Sequence, residues 1–188
     1  MKTREFFDIA CAAEGRIGSA VELDFHDLNG FDTLALHEAK RLGCLPPITL
    51  AVDVKPGGFT GFDAVVNPLG WQIVSKRVAE AFVLGAGNDV ELLPVEIKNL
   101  EGETLRSDFF VINATRMVDA LSETRSVRSK NKLGSVYPVM KVAIEESRVP
   151  DDIHLFRLKE SPHALFADNV VKKAVLQVPH DGVVFIPV

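Results

Sequence analysis

The residues of this chain with side chains suited to acid–base, nucleophilic or metal chemistry are five histidines, two cysteines and the acids near them. His26, His37, His154, His163 and His180 are scattered, and no two stand three or four residues apart, the spacing that would put two ligands on one helix face. His and carboxylate are densest in DFHD, Asp24 to Asp27, where strand alternation would put Asp24 and His26 on one side. One such pair reads as a solvated strand end, because a zinc site needs three or more converging ligands. HEAK at His37 is not the HExxH of a zinc protease. No metal and no cofactor are expected.

Nucleophiles fare no better. Cys11 lies in an apolar stretch and Cys44 beside an expected helix stop, so both read as inert reduced thiols unless a base stands near. No serine occupies a GxSxG elbow. GAGND, Gly85 to Asp89, lacks the third glycine of a dinucleotide fingerprint and the Lys-Ser/Thr of a P-loop, and reads as a helix stop and turn. Three features suit contact with a partner better than catalysis: Trp71, the basic stretch with Arg125, Arg128, Lys130 and Lys132, and the acidic turn Asp151-Asp152. For Trp71 packing against its own helix is the simpler role, and for the basic stretch a solvated connector.

The elements that must carry these residues emerge from a self-comparison. A shift of 92 residues lays Ile48 over Met140, and Leu50, Ala51 and Val52 over Val142, Ala143 and Ile144. IVSKRVAEAFVL, from Ile73, then lies over LFADNVVKKAVL, from Leu165. After one extra residue VELLPV, from Val90, falls on VVFIPV, from Val183, proline on proline. Each unit reads as strand, strand, helix, strand. The first helix is expected to bury Val74, Val78, Ala81 and Phe82, with Ser75 as its cap and Gly85 and Gly87 at its stop; the second, Phe166, Val170 and Ala174, with Asp168 as its cap. Pro94 and Pro187 mark edge or terminal strand positions.

Between the units, Phe109 to Ile112 promise a strong strand and Ser122 to Ser135 an exposed loop. Of the first 47 residues only TLALHEAKRLG reads as helical, ended by Gly43 and Pro46-Pro47. The expectation is one α+β domain over residues 1–188: an irregular segment 1–47 on one edge, a first unit 48–97, a connecting strand and basic loop 98–139, and a second unit 140–188. The two units are expected to share a mixed sheet.

Composition narrows the function classes. At 188 residues, with 47% hydrophobic and 25% charged residues, the chain can bury a core without disulfide or metal. Two cysteines without a CxxC pair make no zinc quartet or secreted disulfide framework. Acids at Glu5, Asp8 and Glu14 interrupt any signal-like apolar run, and nothing reaches the length of a membrane span, so a cytoplasmic protein is expected. A net charge of -5 argues against nucleic acid as partner and would suit a basic protein.

Several phrases stand in a familiar order: IVSKRVAEAF into VELLPVEI, FFVINATRMVDAL, PDDIHLFRLKESPHALFADNVVKKAV and GVVFIPV. Over roughly the last two-thirds of the chain they resemble a family of bacterial immunity proteins from polymorphic toxin systems. The matching positions are Ser75, Pro94, Phe109-Phe110 with Asn113, Val118 to Leu121, Phe156 to Lys159, and Pro187; Ala167 departs from the serine usual at the second helix start. The resemblance implies a protein made beside a toxin gene that protects its cell by binding the toxin stoichiometrically, without catalysis. The alternatives are a small hydrolase or transferase using His26 or a cysteine, and a homo-oligomeric structural or adaptor subunit.

Overall fold

The structure, a computed structural model, describes residues 4–11, 18–23, 32–44, 47–52, 62–67, 69–130 and 136–188. In chain order the elements are β1 (Phe6–Cys11), β2 (Gly18–Leu23), β3 (Ile48–Val52), β4 (Ala64–Val66), β5 (Ile73–Ser75), α1 (Lys76–Ala86), β6 (Val90–Asn99), β7 (Thr104–Ala114), β8 (Met117–Val118), β9 (Val127–Lys130), β10 (Val136–Lys141), β11 (Leu155–Leu158), β12 (Ser161–Asp168), α2 (Asn169–Leu176) and β13 (Val183–Pro187). Short 3-10 turns cover Thr33–Glu38, Gly87–Asp89 and Glu146–Arg148. The α+β class holds.

Strands β2-β3-β6-β7-β5-β4 close into a barrel. Where they also meet the helices, at Ile73–Ser75 and from Val111 to Ala114, these strands are buried on both faces. Ile73, Leu93, Val95, Ile97, Phe109 and Val111 fill the barrel with Leu36, Phe62 and Trp71. Their neighbours Val74, Phe110, Ile112 and Ala114 face outward onto α1. Pro94, which has no N–H to give, stands one residue before β3 begins to pair with β6 at Val95.

The second sheet runs β13-β1-β12-β11-β8. One face, with Ile9, Leu155, Leu165, Ala167 and Val183, joins the helix core; the other buries Phe6, Phe156 and Phe166 beneath Leu121, Ile144, Val149 and Ile153. The helices pack against each other between the two sheets. Gly85 lies inside α1 at that crossing, where a Cβ would stand 2.7 Å from Val171 Cα of α2.

Both sheets contain the same five-strand order. β6-β7-β5-β4-β2 and β13-β1-β12-β11-β8 agree strand by strand, including the antiparallel central strands β7 and β1 and the parallel pairs β2/β4 and β8/β11. The 92-residue shift lays β4 on β11, β5 on β12 and α1 on α2.

Six expectations are corrected. The units form two sheets joined by helices rather than one shared sheet, since each sheet needs its own buried faces. The amino-terminal third is not on an edge: β1 is inserted between β12 and β13, and β2 lies within the barrel. Ser75 holds the N-cap position of α1 but gives its hydroxyl to Asp63 Oδ1 at 2.5 Å, whereas Asp168 does cap α2. Helix α2 buries Val171, Ala174 and Val175 and leaves Val170 exposed. Within Ser122 to Ser135, Val127–Lys130 forms a hairpin with β10, because polar residues pair well on a two-sided ribbon; 131–135 lie outside the described residues. The helical candidate after Asp32 is a 3-10 turn stopped by Ala39 in the left-handed region, before Gly43.

Candidate partner-binding face

The amino-terminal end of α2 is the anchor of the most elaborate polar cluster. Asp168, 1% exposed, accepts hydrogen bonds from Val170 N at 2.9 Å and Val171 N at 3.4 Å, satisfying two of the free donors of the first helical turn. Its other oxygen meets Arg4 Nε at 2.9 Å and His154 Nδ1 at 2.8 Å. Arg4 also donates to Pro150 O at 3.0 Å and to Ile153 O, and its backbone N–H donates to Glu146 Oε1 at 2.8 Å. The backbone N–H of His154 reaches Asp89 at 3.1 Å, beyond the end of α1. A buried carboxylate held by an arginine, an imidazole and two backbone donors has its charge compensated, so the cluster fixes the chain before β1, the loop before β11 and both helices relative to one another.

Two grooves, of about 730 and 660 Å³, adjoin at Arg4 and Glu146. The first runs between α1 and α2: Gly85 and Ala174 line it, Leu84 and Val170 stand exposed at its sides, and Asp151, His154 and Lys173 are at its rim. The second runs past Phe7, Arg125, Glu145 and Lys172 to Pro187 and Val188. Lys172 Nζ lies 3.8 Å from the centre of the Phe7 ring, a cation on an aromatic face. Apolar side chains in the open, rimmed by charges of both signs, are the anatomy of a docking surface.

Of the residues singled out in the sequence, Arg125 and Asp151 come to this face, one at each groove. Arg125 pairs with Glu145 at 3.5 Å and donates to Ile144 O and Ser122 Oγ; Arg128 on β9 pairs with Glu123 at 2.9 Å. Asp152 is exposed in the turn beside Asp151. Lys130 ends β9, and Lys132 lies outside the described residues, as do Asp24, His26 and Asp27. Trp71 is 4% exposed and packs in the barrel core rather than against its own helix, which takes it off the surface.

Of the catalytic candidates, His26 lies outside the described residues, and neither cysteine is set up as a nucleophile. Burial pushes the Cys11 thiol up to about 11, against the direction a nucleophile needs, and Cys44 is a free surface thiol. His37 has its pKa lowered by burial and then by Arg157 and His163, and His180 Nδ1 lies 2.7 Å from Val178 O. Among the described residues no group of three His, Cys, Asp or Glu could hold a metal ion. Arg4, Glu146 and Leu84 were not singled out from the sequence; His154 was named there only among the scattered histidines, Val170 only as a buried helix position and Asp168 only as a helix cap.

A closed barrel and an open sheet clamped by two helices, with paired grooves on one face, define an α+β protein of two related sheets. The model of the Immunity protein family (Imm11) matches residues 38–188, and the chain belongs to that family. No curated protein matches it. The match begins within the Thr33–Glu38 turn and takes in both helices and both grooves apart from residues contributed by the first strand and the chain before it. No described helix is long and apolar enough to cross a membrane.

Proposed function

We propose that this chain is the immunity partner of a bacterial toxin of a polymorphic toxin system, neutralising it in the cytoplasm by stoichiometric binding and without catalysis. Membership of the immunity family supports the biological role. The observation that carries the binding mode is the pair of grooves meeting at Arg4 and Glu146, with Leu84, 76% exposed, and Val170, 48% exposed, beside them. Leaving such side chains in water costs hydrophobic free energy that a partner recovers. Arg125 and Asp151 line this surface, and with Arg128, Lys130, Lys132 and Asp152 of the same charged stretches of sequence they select the partner by charge.

The test is co-expression with the product of the neighbouring gene, scored for growth rescue and for co-purification at equal stoichiometry. A harmless neighbour, or rescue without a complex, overturns the proposal. Reversing Arg125 and Arg128 to Glu should weaken the complex at least tenfold, while the exposed ion pairs lost cost under about 1 kcal/mol of stability each. Unchanged affinity would remove the hairpin from the interface.

A further inference from the structure

Strand β13 is the outermost strand of its sheet, and no described strand pairs with its far side. The pattern of its pairing shows which backbone groups are free. Val188 N donates to Phe6 O at 3.2 Å, so alternation in an antiparallel ladder turns the N–H groups of Ile186 and Val184 toward β1 as well. The N–H groups of Val183 and Phe185 therefore point away from the sheet. Pro187 occupies the third outward position, where a missing N–H breaks no bond within the sheet.

An open edge is an aggregation hazard, and proteins blunt it with charged side chains, bulges or proline. β13 reads VVFIP and carries no charge; Pro187 at its end is the sole such device. Val184 and Ile186 share one face and are 39% and 47% exposed. In the barrel the continuation of the equivalent strand, Val95 to Asn99 of β6, is covered by β3. Here no described strand covers the edge, and apolar side chains stand at the spacing of an added strand.

We infer that β13 accepts an extended segment of the toxin as a sixth strand of this sheet, a contact that deepens the immunity reading and rests on it. Main-chain hydrogen bonds at Val183 and Phe185 supply the pairing, and apolar side chains at alternate positions of the toxin segment cover Val184 and Ile186. A second copy of this chain is the weaker occupant on grounds of area. Five residues offer about 17 Å of edge and, at a strip width of about 10 Å, on the order of 170 Å², well short of the roughly 800 Å² per partner that a stable interface buries. A toxin seated across the grooves has the remaining area, and the second groove ends at Pro187 and Val188, where the edge begins.

The experiment is backbone amide hydrogen exchange on the full chain, alone and saturated with an inactivated form of the neighbouring gene's toxin. In the free chain Val183 and Phe185 should exchange fast and Val184 and Ile186 slowly; in the complex all four should be protected. Replacing Val184 and Ile186 together by Lys should weaken binding roughly tenfold with little change in melting temperature. A complex in which Val183 and Phe185 still exchange fast overturns the strand addition and leaves the immunity reading standing. Protection in the free chain that grows with its concentration, with a dimer in sedimentation, assigns the edge to a second copy and overturns it too. No complex at all removes both proposals.

Discussion

Replacing Gly85 by Ala should destabilise the protein although alanine is the better helix former. An added Cβ would stand 2.7 Å from the Val171 Cα and 3.2 Å from the Ala174 Cβ. Carbon atoms rest at about 3.5–4.0 Å, so α2 must retreat by roughly 1 Å at the crossing. The first obstacle is backbone, which no rotamer change can move, so the overpacking cost falls at the upper end of the usual range, about 3 kcal/mol. Alanine returns about 1 kcal/mol of helix propensity. The net is a loss of about 2 kcal/mol, or roughly 4–8 °C in Tm for a chain of this size. Urea unfolding at equilibrium measures it, and the double variant Gly85→Ala/Ala174→Gly should recover little, because it leaves the Val171 contact in place. Since Gly85 and Ala174 line the first groove, toxin affinity should fall with stability. A neutral or stabilising Gly85→Ala, showing the propensity gain undiminished, would refute the close helix crossing.

Asp63, almost wholly buried, has its carboxyl pushed up by burial but held below its ordinary value by the stronger sum of hydrogen bonds from Arg77 and Ser75. Its stabilisation is therefore whole above the unfolded value of about 3.9 and disappears as pH falls through the lower folded value. Asp63→Asn should be less stable than the parent at pH 6 and match it near pH 2; an offset that stays constant would contradict the assignment. Asp168→Ala removes a helix cap and strands Arg4 and His154, so about 3 kcal/mol should be lost, and Asp168→Asn, which can still cap, should lose about half of that; an Asn variant as stable as the parent in chemical unfolding would mean that the charge contributes nothing, and equal losses in the two variants that the cap contributes nothing. Ile9→Ala, at a residue 1% exposed in the middle of the second sheet, should cost about 3 kcal/mol and speed amide exchange in β12 and β13, whereas an edge strand would leave those amides unaffected.

What the sequence discloses is what repeats locally. Val78, Ala81 and Phe82 at helical spacing, Phe109 to Ile112 as a strand, and proline on proline at Pro94 and Pro187 could be read because each signal lies within one element or between two copies of it. What stayed hidden is non-local. FFDIAC is too short to announce that it lies between β12 and β13, since nothing within six residues encodes a partner some 160 positions away. Val170 and Val171 stand about 100° apart around the helix, but each has apolar partners at helical spacing, so spacing chose the wrong one. For the candidate face, Arg125 and Asp151 were visible through charge, but Arg4 and His154 acquire meaning only when folding brings them to Asp168. Trp71 illustrates the converse: a large aromatic is as suited to filling a barrel as to anchoring a partner, and only the closed strand order decides.

The central position of β1 has a consequence for how the molecule is made. Ribosomes deliver the chain amino end first, so β1 emerges long before β12 and β13, its two neighbours in the sheet. At about 5–20 residues per second the strand waits on the order of ten seconds with both edges unpaired. Meanwhile β2 through β7 are complete and can close the barrel around its own core. Assembly is thus ordered in time, barrel first and clamped sheet last, and the last step brings Arg4 to Asp168 and completes both grooves. On the immunity reading proposed above, the surface that would meet the toxin is finished only once β13 has joined β1. Truncated or stalled chains would hold a finished barrel and an empty slot where β1 belongs, which makes the second sheet the natural checkpoint for quality control.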